Sequence, residues 1–321
     1  MRAARVIPIG VLALATMLTL AACGPTGSDA EAIDPQIDAA GTDLATDPDV
    51  TVIADLEYGA VDGEPLLLDA CLPPGFDPGV AAVPGILVIH GGSWREGLKD
   101  SVGWRAVCTW LASAGYPAFS VQYRLAPEHP FPAGFDDVRA AVEWLRADDQ
   151  VARFGLDPGR LAVFGGSAGG NLAALLGTSG SGELTSGSRV AAVADLSGPI
   201  DLTGVAVTDD FAPLQLEYLG CTTFQTCPTA QAASPNFHVD ETDPPFFIAH
   251  STTEKIPLAQ SERFVEDLRA AGVDVDFLVA DGTLHSIALL DDDLKARIVA
   301  FYARTLGPGF VPTADPEAAG D

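Results

Sequence analysis

The sequence contains few basic residues. It has 17 Lys and Arg against 44 Asp and Glu, which gives a formal net charge of −27. A surface this acidic repels phosphate groups, so the charge argues against a nucleic acid or an anionic bilayer surface as a partner. The hydrophobic content excludes a disordered chain, because 48% of the residues are hydrophobic and such a chain can bury a core.

Long apolar runs are also scarce. The one long run covers residues 6–20 and follows Arg2 and Arg5, which is the arrangement of an export signal. It ends in residues 20–23, LAAC, which resembles the lipobox of bacterial lipoproteins. We therefore expect a signal peptide over residues 1–22 and a lipid on Cys23 that anchors an exported protein to the cell membrane, facing outside the cytoplasm. The alternative is an ordinary secretory signal with an incidental cysteine.

No later run reaches the ~18 uninterrupted apolar residues of a spanning helix. If the protein is anchored, the lipid on Cys23 is therefore its sole contact with the membrane. The segment 23–49 is rich in Asp, Ala, Gly, Thr and Pro without an apolar period, and it is predicted to be a flexible acidic tether. Residues 307–321 have the same character and are predicted to be a disordered tail.

Four cysteines remain after the signal: Cys71, Cys108, Cys221 and Cys227. An even number in an exported chain favours disulfides, and four cysteines allow three pairings. Cys221 and Cys227 are six residues apart and can close a small loop, which leaves Cys71 with Cys108. A zinc site is the alternative, but these spacings do not form a paired ligand motif.

Residues 50–306 are long enough for one large α/β domain. In this region β-type runs alternate with amphipathic helical stretches, which is typical of a mostly parallel sheet with helices on both faces. The eight strand candidates are 50–58, 65–72, 85–90, 116–123, 160–165, 190–197, 245–250 and 273–280. The helix candidates are 102–114, 135–147, 168–176, 258–271 and 292–305. Residues 199–244 break the alternation and predict a small insertion that borders the functional site.

The sharpest motif is GGSAG at residues 165–169, between a strand candidate and a helix candidate. A serine on so tight a turn needs small neighbours, because a larger side chain there would clash with the turning backbone, and glycines at 165, 166, 169 and 170 meet that need. The hydroxyl of Ser167 would then project at a helix N-terminus, where unpaired amides favour developing negative charge. This pattern predicts a nucleophilic serine, whereas a plain Gly-rich turn is the alternative.

A second motif, HGGSW at residues 90–94, directly follows a buried-looking strand. Gly91 and Gly92 let the main chain approach a reacting carbonyl and point N–H groups at its oxygen. Together with the amide of Ala168 they predict an oxyanion hole. The alternative is a tight turn that leaves the strand.

These motifs, with YRLAPEHPFP at residues 123–132, resemble the α/β-hydrolase fold over residues 50–306. Within that fold they are most similar to the carboxylesterases of the hormone-sensitive-lipase-like group and to the related feruloyl and acetyl esterases. Two positions depart from the pattern of the group. Gly166 stands where the group often has Asp, and Ser93 stands where it has a third Gly.

The resemblance implies a chain order of serine, acid and histidine. His285 follows the last strand candidate and is the histidine that this order implies, while His250 is the rival because it ends a strand. The group usually carries an Asp in a motif like HGxxDxxVP, but residues 250–257 read HSTTEKIP, so Glu254 takes the role of the acid. A glutamate can orient an imidazole as an aspartate does.

Two other carboxylates remain open as the acid, Asp276 and Asp281, and Glu254 would then be a solvated loop charge beside Lys255. The resemblance implies a serine carboxylesterase that acts on a small ester substrate through an acyl-enzyme, without a metal or other cofactor. Short-chain or aryl esters are expected, since no large N-terminal cap precedes the domain. The alternatives are a serine peptidase of the prolyl-oligopeptidase type, which shares the fold, and a non-catalytic lipid-anchored binding protein.

Overall fold

The structure, a computed structural model, describes residues 47–79 and 82–311. The predicted signal peptide 1–22, the lipidation residue Cys23 and most of the predicted tether 23–49 lie outside these residues. Within the two described ranges, no helix has both the length and the apolar character needed to cross a bilayer.

Eight strands form one sheet, in the order β1-β2-β4-β3-β5-β6-β7-β8. The pairs β1–β2 and β2–β4 are antiparallel, and all other neighbours are parallel. This confirms the predicted mostly parallel eight-stranded sheet of the α/β-hydrolase fold. The strands are β1 Thr51–Val61, β2 Glu64–Leu72, β3 Val83–Ile89, β4 Ala118–Val121, β5 Leu156–Gly166, β6 Val193–Leu196, β7 Phe246–Ser251 and β8 Val275–Ala280.

Helices cover both faces of the sheet. The described residues contain α1 Val102–Ser113, α2 Ala133–Arg146, α3 Asp148–Phe154, α4 Ala168–Thr178, α5 Ala212–Leu219, α6 Leu258–Ala270 and α7 Asp292–Leu306. Helices α1 and α7 pack on one face and bury Trp104, Leu111, Ile298 and Phe301. The other face carries α2, α4 and α6 and forms a second, larger core.

The central strands explain why the site forms where it does. Strand β3 is buried along its whole length, because a parallel strand covered on both faces must be apolar throughout. Strands β3, β5, β6 and β7 run in the same direction, so their carboxyl ends meet at one edge of the sheet. Functional residues of open α/β sheets gather outside such an edge. The HGGSW turn, Ser167 and the loop with Glu254 all leave the sheet there.

The insertion 199–244 precedes the penultimate strand, as predicted. It contains α5 and two short 3₁₀ helices, Phe224–Thr226 and Pro235–Phe237. Phe211 and Tyr218 are buried against Trp94 of the HGGSW turn, with ring centroids 6.0 and 4.2 Å away. The insertion is therefore packed on the turn that leaves β3.

Both predicted disulfides are formed. Cys71 of β2 is bonded to Cys108 of α1, and Cys221 is bonded to Cys227 within the insertion. The Cα atoms of the pairs are 5.9 and 5.5 Å apart, within the ordinary range for a disulfide. The alternative of a zinc site is wrong for these four residues, because all of their sulfur atoms are in disulfide bonds.

The first residues of the predicted tail contact the domain. The amide of Phe310 donates a 2.6 Å hydrogen bond to the carbonyl of Gly115, and its ring lies 5.1 Å from that of Phe76. The hydroxyl of Tyr116 donates to the carbonyl of Gly307 at 3.2 Å. Gly307 and Phe310 therefore contact the domain, Val311 is exposed, and the rest of the predicted tail lies outside the described residues.

Candidate active site

Ser167 is the single residue that connects β5 to α4, and its backbone angles are φ 56° and ψ −125°. A positive φ is uncommon for a residue with a side chain and is typical of a strained functional turn. A Cβ at Gly165 would overlap the carbonyl oxygen of Gly169, and a Cβ at Gly169 would overlap that of Ile89. Glycine is therefore needed at positions 165 and 169 because a side chain at either one would overlap neighbouring backbone atoms.

The two predicted glycines of the HGGSW turn lie beside this serine. A Cβ at Gly91 would approach the Ser167 Cβ to 3.2 Å, and Gly92 has a φ of +117° that disfavours any side chain. Ala168 is the first residue of α4, so its amide has no carbonyl partner within the helix. Among the described residues, no hydrogen bond uses the amide of Gly91, Gly92 or Ala168 as its donor. Such free amides are what an oxyanion hole requires.

His90 holds the turn from below. Its ring is stacked on that of Tyr123 at 4.3 Å, and its Nδ1–H donates to the carbonyl of Gly91 at 2.7 Å. The hydroxyl of Tyr123 donates to the His90 carbonyl at 3.0 Å. Complete burial lowers the pKa of His90 to about 4, so the ring is neutral and supports the backbone rather than exchanging protons near neutral pH.

Glu254 and His285 meet in the site. The Nδ1–H of His285 donates to Oε2 of Glu254, and the side chains of these residues are 2% and 0% exposed. Glu254 is therefore buried and paired with the imidazole, and the alternative of a solvated loop charge does not describe it. Burial lowers the pKa of His285, while the carboxylate of Glu254 opposes that shift.

The loop that carries His285 reaches Gly166, the residue before Ser167, through its neighbour Ser286. A Cβ at Gly166 would overlap Ser286 Oγ, and the amide of Ser286 donates to Ser197 Oγ at 3.2 Å. No hydrogen bond joins Ser167 to His285 in the described residues; instead, Nε2 of His285 is buried without a hydrogen-bond partner there. Catalytic hydrogen bonds often tighten only when substrate binds, so the open Nε2 remains suited to accept the serine proton.

The other candidate residues have different surroundings. Asp276 pairs with Arg304 at 2.8 Å and is 41% exposed, and Asp281 is exposed. His250 is fully buried, and its ring contacts the Ser261 hydroxyl at 2.8 Å and the Ile256 carbonyl at 2.9 Å. The carboxylate that pairs with His285 is therefore that of Glu254, and the alternative histidine, His250, lies on the other side of this carboxylate.

Sequence reasoning missed Asp195, a fully buried acid on β6. Its Oδ1 accepts a 2.9 Å hydrogen bond from the amide of Gly198, and its Oδ2 has no hydrogen-bond partner among the described residues. Burial, together with the negative charge of Glu254, raises the pKa of Asp195 to about 7. The signal in the sequence was a single acid inside the apolar run 190–197.

A cavity of about 410 Å³ opens on the other side of the HGGSW turn. Its lining combines apolar or aromatic side chains, among them Leu66, Leu98 and Tyr123, with polar and charged ones, among them Lys99, Gln122 and His129. Gln122 Nε2 lies 3.4 Å from His90 Nε2, which connects this cavity to the turn. None of the residues predicted to be catalytic lines it.

The described residues contain no group of three or more His, Cys, Asp or Glu side chains arranged to hold a metal ion.

Comparisons with known proteins agree on the class of protein. The model of the BD-FAE family matches residues 68–268. Esterase LipC of Mycobacterium tuberculosis is 34% identical over 222 residues, which is 65% of this chain and 54% of the relative. Ethyl acetate hydrolase of Pseudomonas putida is 41% identical over 133 residues, which is 41% of this chain and 40% of that protein. The chain spans about half the length of the curated relatives it matches, with shares of 54%, 60% and 51%.

Among solved structures, a truncated carbohydrate esterase from gut microbiota superposes with a TM-score of 0.70. The match covers 81% of this chain and 98% of the esterase, at 23% sequence identity. At this identity the likeness establishes the fold.

Proposed function

Because this chain belongs to the BD-FAE family, we propose that it is a serine carboxylesterase that hydrolyses short-chain or aryl esters through an acyl-enzyme. The observation that carries the proposal is the buried pair of His285 and Glu254. The loop with His285 packs through Ser286 on Gly166, the residue that precedes Ser167. A nucleophile, a base and a group that orients the base are the parts that acyl transfer requires.

The mechanism begins when Nε2 of His285 takes the proton of Ser167 while the hydroxyl oxygen attacks the ester carbonyl. The amides of Gly91, Gly92 and Ala168 donate to the oxygen that becomes negative. Collapse of the tetrahedral intermediate breaks the ester bond, and the imidazolium gives its proton to the leaving alcohol. The acyl group then remains on the serine.

Water completes the reaction. His285 takes a proton from the water, whose oxygen attacks the acyl-enzyme, and the acid leaves as the proton returns to Ser167. Glu254 stays ionised, keeps the proton of His285 on Nδ1 and stabilises the imidazolium that forms twice in each cycle.

A small substrate is supported by one of the relatives. A relative that is 41% identical over 133 residues is named for its action on ethyl acetate, a short ester. The likeness to this relative favours short acyl groups over long chains.

We also propose that the protein is exported and held at the membrane by a lipid on Cys23, with residues 1–22 removed and 23–49 acting as a tether. The two disulfides support an oxidising compartment, because such bonds are rare in reducing ones. The acidic surface supports a lipid anchor over a peripheral contact with anionic headgroups.

The substrate class is tested by initial rates on p-nitrophenyl esters from acetate to laurate, with a prolyl p-nitroanilide as the peptidase probe and Ser167→Ala as the control. We expect the highest kcat/KM on the shortest acyl groups and no release by the control above that of buffer. Faster release from the prolyl amide would favour a peptidase, and a maximum on laurate would refute the preference for short esters.

A further inference from the structure

Glu254 lies between two imidazoles. Its Oε2 accepts from Nδ1 of His285, and its Oε1 is 3.1 Å from Nε2 of His250. His250 is the penultimate residue of strand β7, four residues before Glu254, and its side chain is completely buried. The carboxylate that orients His285 therefore has a second histidine against its other oxygen.

The contacts of His250 determine which of its nitrogens carries the proton. Nε2 lies 2.9 Å from the carbonyl of Ile256, and a carbonyl oxygen only accepts, so Nε2 bears the hydrogen. In the neutral ring Nδ1 is then an acceptor, and the hydroxyl of Ser261 donates to it at 2.8 Å. Both partners are backbone or side-chain groups of the segment that follows β7, so the ring is fixed from two sides.

The Nε2–H of His250 is directed at the carbonyl and not along the line to Glu254. Oε1 of Glu254 accordingly has no aligned hydrogen bond among the described residues, although it is 3.1 Å from that nitrogen. The contact with the carboxylate is therefore the positive end of an N–H dipole held close to a buried negative oxygen. At low dielectric such a contact is stronger than it would be in water.

We infer that His250 is a positioning residue for the proposed esterase reaction: its ring pins the loop from 252 to 257 and holds the Glu254 carboxylate on His285, while Ser261 fixes the ring. This rests on the proposed function of the site. The ring contacts Glu254 and the Ile256 carbonyl at once, so it sets the shape of the loop as well as the place of its acid. Ser261 lies in the first turns of α6, which joins the loop to a rigid helix.

The charges around Glu254 give the sign of the expected pH effect. His285, His250, Lys255 and Asp195 all interact electrostatically with Glu254 or with its partner. Glu254 raises the pKa of His285; a positive charge on His250 would lower it, but a His250 ring with its proton on Nε2 alone is neutral. If His250 holds Glu254 on His285, its replacement by an apolar residue weakens the interaction by which Glu254 raises the pKa of His285, so the acid limb of the pH profile moves to lower pH.

The test uses His250→Leu, which removes the N–H, and His250→Gln, which can place an amide N–H near the same point. Active enzyme is counted in each preparation by titration with a fluorophosphonate, and kcat and KM are measured on p-nitrophenyl acetate from pH 4 to 9. We expect His250→Leu to lower kcat per active site by about 10- to 100-fold with little change in KM, because a displaced base costs on this order. His250→Gln should recover most of that loss.

A merely structural role would lower the number of active sites and leave the profile of those that remain unchanged. An unshifted acid limb and an unchanged kcat per active site in His250→Leu would therefore overturn the inference. If His250→Leu does not fold, Ser261→Ala takes its place, since it keeps the ring but removes the donor to Nδ1. Equal kcat in Ser261→Ala and the parent would then overturn it.

A second readout separates this inference from the proposed function. The His285 Nδ1–H bonded to Glu254 should give a strongly deshielded proton NMR signal in the parent protein, without any substrate. We expect His250→Leu, or Ser261→Ala if that variant is used, to shift or broaden this signal. If the parent does not hydrolyse the ester but the variant shifts the NMR signal, only the proposed esterase function is refuted. If the parent hydrolyses the ester but the variant leaves the signal unshifted, only the role of His250 is refuted.

Discussion

Gly166 shows how one missing side chain shapes the site. A Cβ at this position would overlap Ser286 Oγ and approach Trp104 to 3.2 Å. Its φ lies outside the left-handed region, so the backbone itself accepts alanine there. We expect Gly166→Ala to displace the loop with His285 and to lower kcat/KM by about 10- to 100-fold, since misplacement of about 1 Å has effects of this size.

A matched variant tests whether the contact with Ser286 is the cause. Ser286 has a φ of 59°, which glycine adopts readily, so Ser286→Gly removes the hydroxymethyl group without backbone strain. The double variant Gly166→Ala, Ser286→Gly should recover most of the lost kcat/KM. A double variant as slow as Gly166→Ala alone would contradict this explanation.

The pH profile depends on His285. Its pKa is lowered by burial, and only the neutral ring can accept the serine proton. Activity should therefore persist as the pH falls below the ordinary imidazole value of 6.5, and the acid limb of kcat/KM should have its midpoint below that value. A midpoint above 6.5 would contradict the assignment.

Glu254→Gln tests the acid in the same measurement. The charge of Glu254 raises the pKa of His285, so its removal should move the acid limb to still lower pH. Loss of the orienting carboxylate should also lower kcat by about 10³- to 10⁴-fold. Full turnover by Glu254→Gln would return Asp276 and Asp281 to consideration as the acid.

At the scale of residues, sequence alone predicted the partners that a local motif contains. Ser167 and Gly91 sit in short Gly-rich strings whose conformation is local, and the histidine and the acid followed from chain order. Ser286 and Asp195 could not be predicted in this way. Ser286 contacts Gly166, and Asp195 is influenced by the charge of Glu254; both neighbours are far away in the chain.

At the scale of elements, the two disulfides should differ in their effect on stability. Cys71 and Cys108 close a loop with a sequence separation of 37, and Cys221 and Cys227 one of 6. The chain-entropy relation gives about 4 kcal/mol of unfolding free energy for the longer loop and about 2 kcal/mol for the shorter one. Urea unfolding of the two double alanine variants, each compared with the parent, measures these losses.

The control for the disulfide variants is the same titration with a reductant present. Reduction should destabilise the parent by about the sum of the two losses and leave a variant lacking both bonds unchanged. A larger loss of unfolding free energy on removal of Cys221–Cys227 than on removal of Cys71–Cys108 would contradict the chain-entropy explanation.

The sequence predicted all eight strands and the five longer helices but not α3 or α5. These have 7 and 8 residues, which is too short for an apolar period to stand out, and such helices form mainly through tertiary packing. Helix α5 is an example, because Phe211 before it and Tyr218 within it are buried against Trp94. The insertion was predicted as a segment, but its contact with the HGGSW turn required the fold.

At the scale of the whole molecule, attachment to the membrane should depend on the sulfur atom of Cys23. If a lipid on Cys23 is the anchor, Cys23→Ser should leave the membrane pellet and appear in the soluble fraction of the producing cells. Esterase activity of the released protein should equal that of the parent, since Cys23 lies outside the region with the proposed site. Unchanged fractionation would contradict the lipoprotein hypothesis.

The most direct test of the account is the reaction of the intact protein with a fluorophosphonate at neutral pH, followed by peptide mass spectrometry. A nucleophilic hydroxyl at the bend between β5 and α4 predicts one phosphonyl adduct, located on Ser167, and much slower labelling in His285→Ala. No adduct, or an adduct on another serine, would contradict the proposal that Ser167 is the nucleophile.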